Sequence, residues 1–83
     1  MTPSKTDDIY LRVRKILARM LKVNENMIRP EALLKDDLGV DSVDIVDIVS
    51  RIEEEFNIEI EDQEIALVNK VEDAVHLIKS KME

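Results

Sequence analysis

Apolar residues recur at helical spacing in three separate segments of this 83-residue chain, which has one glycine and two prolines to interrupt them. A stripe repeating every three or four residues needs a partner surface, so three such stripes predict helices packed on one another. Strand formers are sparse, with one Phe and one Tyr in the whole chain. In the first segment Ile9, Val13, Ile16, Leu17 and Met20 form the stripe, and Arg12, Arg14, Lys15 and Arg19 lie off it. A helix is predicted from Thr6 to Lys22, with Thr6 as its cap and Asp7 and Asp8 favoured in the first turn by the helix dipole.

The second stripe is Ile45, Val49, Ile52 and Phe56, with Val46 and Ile48 at its edges. It predicts a helix over Ser42–Phe56, capped by Asp41 with Asp44 in the first turn. Its many β-branched residues lower helix propensity, but the stripe runs too long at helical spacing for a strand. Asp44, Asp47, Arg51, Glu54 and Glu55 occupy the opposite face, where Arg51 can pair with Asp47 one turn back.

The third stripe comprises Val71, Ala74, Val75, Ile78 and Met82, and Lys79 and Lys81 lie near its favourable C-terminus. Asn69 to Glu72 reads as a capping box with Asn69 as the cap. Before it, Asn57–Glu61 is expected to be a turn or extended link, and Asp62–Val68 a short helix with Ile65 and Val68 inward.

Residues 23–41 remain as a long loop, with Ile28, Leu34 and Leu38 available to pin it to a core. Loops of this length in compact domains are generally ordered and functional. The expected architecture is all-α: a bundle of three main helices plus one short third helix, with a long ordered loop between the first two. Residues 1–83 are read as one domain.

A domain this small has little room for an enclosed active site. Without cysteine it has no disulfide, thiolate metal site or cysteine nucleophile, which fits a reducing cytoplasm. Residues 1–8 lack an apolar core, so no secretory signal is expected, and no apolar run reaches membrane-spanning length. A soluble, cytoplasmic monomer is the expectation, since no apolar stripe is left over for a dimer seam.

Charge is unevenly distributed. Residues 1–30 carry a net charge of +4, residues 31–69 carry −11, and the whole chain carries −7. The acidic block disfavours nucleic acid and anionic lipid and favours basic protein surfaces. On charge alone, a merely solvated face is the simpler account.

Within that block, Asp36-Asp37-Leu38-Gly39-Val40-Asp41-Ser42-Val43-Asp44 contains the only glycine, just ahead of the second helix. Ser42 falls in the first helical turn, where a phosphodiester would meet unpaired backbone N–H groups at the positive end of the helix dipole. Spacing alone leaves open a second reading, in which Asp41 or Ser42 simply caps the helix.

Leu38-Gly39-Val40-Asp41-Ser42-Val43-Asp44 resembles the acyl carrier protein signature Leu-Gly-x-Asp-Ser-Leu-Asp. Arg51 to Ile60 is similar to the family's glutamate run, phenylalanine and short acidic link, and the likeness extends over nearly the whole chain. The resemblance implies that a phosphopantetheinyl transferase joins the 4'-phosphopantetheine of coenzyme A to Ser42. The arm's thiol then carries an acyl group as a thioester for fatty acid, polyketide or related lipid synthesis, and the chain itself catalyses nothing. It further implies that Asp41, Asp44, Asp47, Glu53 and Glu54 dock on basic patches of acyl-processing enzymes. Val43 either anchors partners there or covers the helix start. In the family an acyl chain enters between the second and third helices. Val46, Val49, Ile52, Ile65 and Val68 are first of all core residues here, and by resemblance they line that pocket, expected to be small or closed in the unloaded protein.

The chain departs from the family pattern in places. Val43 replaces the usual leucine, Glu61 stands where common bacterial members have proline, and Ala66 and Leu67 occupy commonly charged positions. These departures suit a specialised carrier as well as a housekeeping one. A carrier of aminoacyl, peptidyl or D-alanyl groups, or an unmodified acidic docking domain, are the alternatives. The acidic spacing around Asp36, Asp37, Asp41 and Asp44 is not that of a calcium loop, and no metal site is assigned. His76, the only histidine, is read as exposed and incidental, and Tyr10 and Phe56 are too few for a base-stacking surface.

Overall fold

The computed structural model describes residues 5–82, with side chains from Asp8 onward. Helix α1 spans Lys5–Leu21, α2 Ser42–Phe56, α3 Asp62–Ile65 and α4 Val71–Met82. No strand is present among the described residues, and the architecture is the all-α bundle expected from the three stripes. The helix already includes Thr6, so Thr6 is not its cap residue as expected; the side chains of Thr6 and Asp7 lie outside the described ones.

Helix α1 is the central element and packs against both α2 and α4. From it Ile9, Val13, Ile16, Leu17 and also Ala18 are buried, while Met20 is half-buried. Lys22 follows in the left-handed region at φ 56° and ends the helix. Helix α4 buries Val71, Val75 and Ile78, and Met82 is exposed at its end. Arg12, off the α1 stripe, holds the C-terminal end of α2. Its guanidinium sits 4.4 Å from the Phe56 ring centroid and donates to the Glu55 carbonyl (3.1 Å) and carboxylate (3.0 Å).

The register of α2 differs from the expected stripe. Ile48, Ile52 and Phe56 are buried, whereas Ile45 and Val49 are only half-buried and Val46 is 65% exposed. Val46 is therefore not a core residue. Alternation of Ile and Val along 43–49 left the stripe's centre ambiguous, and packing against α1 chose the line through Ile48.

The long loop is ordered by its own hydrogen bonds. A 3-10 turn at Glu25–Met27 is capped by the Asn24 side chain, and Ile28 is buried beneath it, its carbonyl accepting from Tyr10 Oη at 2.6 Å. Ala32 and Val40 are also buried. The loop is then stitched to the entry of α4: Leu34 N–H donates to Asn69 O (2.9 Å), Val71 N–H to Ala32 O (3.1 Å) and Glu72 N–H to Pro30 O (2.9 Å).

The entry of α4 is capped differently from the expectation. The helix begins at Val71, so Asn69 is not its cap residue. The Asp73 carboxylate instead accepts the N–H groups of Lys70 (3.0 Å) and Asn69 (3.1 Å). Those two bonds, in that order, pull its pKa below the ordinary aspartate value. Helix α3 is shorter than the expected Asp62–Val68, ending at Ile65 in a turn through Ala66 and Leu67.

Candidate functional site

The start of α2 is built by a turn and a reciprocal cap. Asp37 N–H donates to Leu33 O (2.9 Å), Gly39 N–H to Lys35 O (3.1 Å) and Val40 N–H to Leu34 O (2.9 Å). The Asp37 carboxylate closes the same turn by accepting Leu33 N–H at 2.8 Å, so it serves the loop's geometry. Gly39 takes φ +69°, a conformation that L side chains resist. Val40, 4% exposed, then anchors the chain in the core immediately before the helix.

Asp41 is the N-cap. Its carboxylate accepts Asp44 N–H (2.9 Å), and the Asp44 carboxylate returns to Asp41 N–H (3.2 Å). With Asp41 in that role, Ser42 is left as the first helical residue, exposed, its hydroxyl not committed to the cap. The N–H groups of Ser42 and Val43 belong to the set that a helix start leaves without intrahelical partners. An exposed hydroxyl beside two such donors fits a serine-linked phosphodiester.

Beside this helix start lies a partly open cavity of about 270 Å3. Val49 and Ile52 of α2, Ile65 of α3 and Val68 after it contribute to its wall. Val46 does not line it; it is 65% exposed to solvent. Ile45, one turn beyond Ser42, places the cavity close to the helix start. Leu33, Ile60 and Leu77 also line it and were not anticipated. Ile60 was legible in the Ile58-Glu59-Ile60 alternation, whereas Leu33 and Leu77 depend on how the loop and α4 are brought together. The cavity is small and partly open rather than closed.

The acidic residues divide into two groups. Asp47 and Glu54 are exposed, as are Val43 (71%) and Val46, so Val43 covers nothing at the helix start. Asp41 and Asp44 are engaged in the cap but stay accessible at the same end. Glu53 is different: it is half-buried and its carboxylate accepts Ile60 N–H at 2.8 Å, securing the link to α3. The Arg51–Asp47 pair does not form. Both are exposed, and the ion pairs among the described residues are Arg12–Glu55, Arg14–Glu25 and Lys81–Glu64. His76 is exposed on α4, and no described helix is long and apolar enough to cross a membrane.

The arrangement provides an accessible hydroxyl, backbone donors at a helix start and an apolar cavity one turn away. The family model described as the phosphopantetheine attachment site matches residues 11–78, which include all of α2 and α3 and most of α4. Domains of this family take 4'-phosphopantetheine covalently and act as carriers, not enzymes. The chain belongs to the phosphopantetheine-binding carrier proteins of the acyl carrier type.

Proposed function

We propose that this chain, read as a single domain over residues 1–83, is an acyl carrier modified at Ser42 in the cytoplasm. It would serve fatty acid or related lipid or polyketide synthesis. The observation that carries the reading is the placement of exposed Ser42 at the capped start of α2, one turn from the apolar cavity. Attachment joins Ser42 Oγ to the pantetheine-bearing phosphorus of coenzyme A, with loss of the hydroxyl proton and departure of adenosine bisphosphate. When bound, the group supplies the thiol on which an acyl chain is held.

The protein's own residues orient and shelter. Asp41 and Asp44 fix the helix start that presents Ser42, and Val49, Ile52, Ile65 and Val68 offer an apolar wall to the cargo. At about 270 Å3 the cavity is at the small end of ligand pockets, typically about 300–1,000 Å3. It favours an aliphatic acyl group over an aminoacyl or D-alanyl one, which has no use for such a wall. Asp41, Asp44, Asp47 and Glu54 form the acidic docking face for basic partner enzymes, with Val43 and Val46 as apolar contacts within it. Glu53 is assigned a supporting part through Ile60.

The test is intact mass after incubation with coenzyme A and a broad-specificity phosphopantetheinyl transferase. One phosphopantetheine on the wild type and none on Ser42→Ala is expected. An unmodified but folded wild type, with an active transferase control, would overturn the assignment in favour of an unmodified docking domain. Loading with octanoyl and with alanyl groups then separates cargo classes: only the octanoyl form is expected to shift the NMR signals of Ile52, Ile65 and Val68.

A further inference from the structure

A phosphodiester on Ser42 would enter an unfavourable field. Asp36, Asp37 and Asp41 are exposed around the helix start, Asp44 is half-exposed, and residues 31–69 carry a net −11. Backbone N–H groups and the helix dipole offset part of this repulsion, but neither decides which way an attached arm leaves the serine. Between Arg29 and Arg51 the only basic residue is Lys35.

Lys35 also belongs to the turn that leads into α2. Its carbonyl accepts Gly39 N–H at 3.1 Å, so its backbone lies in the turn that delivers the chain to the Asp41 cap. Lys35 lines the cavity together with Asp36 and with Ile45, whose N–H bonds to Asp41 O at 3.0 Å. Lys35 is the only basic residue lining that cavity. It is exposed and takes part in no ion pair among the described residues.

We propose that Lys35 is a positioning residue for the arm: its ammonium pairs with the phosphodiester on Ser42 and turns the arm toward the cavity mouth. This rests on the assignment of Ser42 as the attachment residue. A compact ammonium on a flexible four-carbon stem suits a mobile monoanion better than a rigid, bidentate guanidinium would. The pairing is solvent-exposed, so it is weak and sensitive to salt, and it biases the arm's position without locking it. A carrier needs that balance, since the same arm has to leave for partner enzymes.

The experiment compares isotope-labelled wild type, Lys35→Met and the distant control Lys79→Met, each in apo form and after conversion with coenzyme A. Intact mass is read first. The Lys35 ε-proton and Nζ resonances are expected to move on conversion, and the holo phosphorus resonance to differ between wild type and Lys35→Met but not Lys79→Met. Cross-relaxation between the arm and Ile45 should fall roughly two-fold in Lys35→Met or in high salt, as suits an exposed ion pair. If mass shows conversion but the Lys35 and phosphorus resonances are unmoved, this proposal alone is overturned. If no conversion occurs in the wild type, the Ser42 assignment falls and this proposal falls with it.

Discussion

Lys81 Nζ lies 2.7 Å from Glu64 Oε1, so the last turn of α4 is fastened to the four-residue α3 on the flank of the cavity. The same Glu64 oxygen accepts Glu61 N–H at 3.0 Å and completes the cap of α3. The hydrogen bond from Lys81, followed by that from the Glu61 amide, lowers the Glu64 pKa, and the bond to Glu64 raises that of Lys81. The two shifts agree in sign, as one contact requires. A lowered acid contributes above its unfolded pKa and loses that contribution as pH falls through the folded value. A raised base contributes below its unfolded pKa and loses it as pH rises through the folded value. The tie therefore holds between the ordinary glutamate and lysine ranges. In a carboxyl NMR titration, Lys81→Met should move the Glu64 midpoint upward; an unmoved midpoint would show that the pair does not persist in solution.

Asp73 caps α4 through two backbone bonds, and Asp73→Ala is expected to cost about 1 kcal/mol of stability, the usual worth of a helix cap. Because its pKa is lowered, the wild type's advantage should be present at neutral pH and shrink as pH falls through and below the ordinary aspartate range. Urea unfolding of both proteins at neutral and acid pH checks the size and the sign together.

Ile52 and Val46 test the register of α2. Ile52→Ala removes a side chain that is 4% exposed and should destabilise by about 2–5 kcal/mol. Val46→Ala, on the solvent side, should change stability by less than about 0.5 kcal/mol while weakening binding to a basic partner enzyme. Equal destabilisation by the two would mean that Val46 belongs to the core after all.

Gly39→Ala should destabilise by about 1–2 kcal/mol through backbone strain alone, because φ is +69° and a Cβ there meets no atom within 4 Å. Denaturant unfolding with an unchanged slope is the expected signature. A neutral substitution would show that the turn relaxes to another conformation.

Much of the fold was legible because helical periodicity is a local property. The stripes of α1 and α4 predicted Ile9, Val13, Leu17, Val71, Val75 and Ile78 as core, and all are buried. The stripe of α2 was less readable, since Ile45, Val46, Ile48 and Val49 offer apolar residues on several faces and only the neighbouring helices select one. Asn69 looked like a cap by type, but helix onset at Val71 handed that task to Asp73. Glu53 looked like one more acidic surface residue until the link after α2 brought Ile60 N–H to its carboxylate.

Sequence by itself determined the three main helices, the glycine-bearing turn ahead of Ser42 and Asp41 as the cap of α2, because each depends on residues a few positions apart. Tertiary structure decided that Val46 faces solvent, that Leu33 and Leu77 share a cavity wall, and that Lys35 lines the same cavity. Those outcomes require chain segments far apart in sequence to meet, and side-chain type alone does not encode which face of a helix its neighbours will cover.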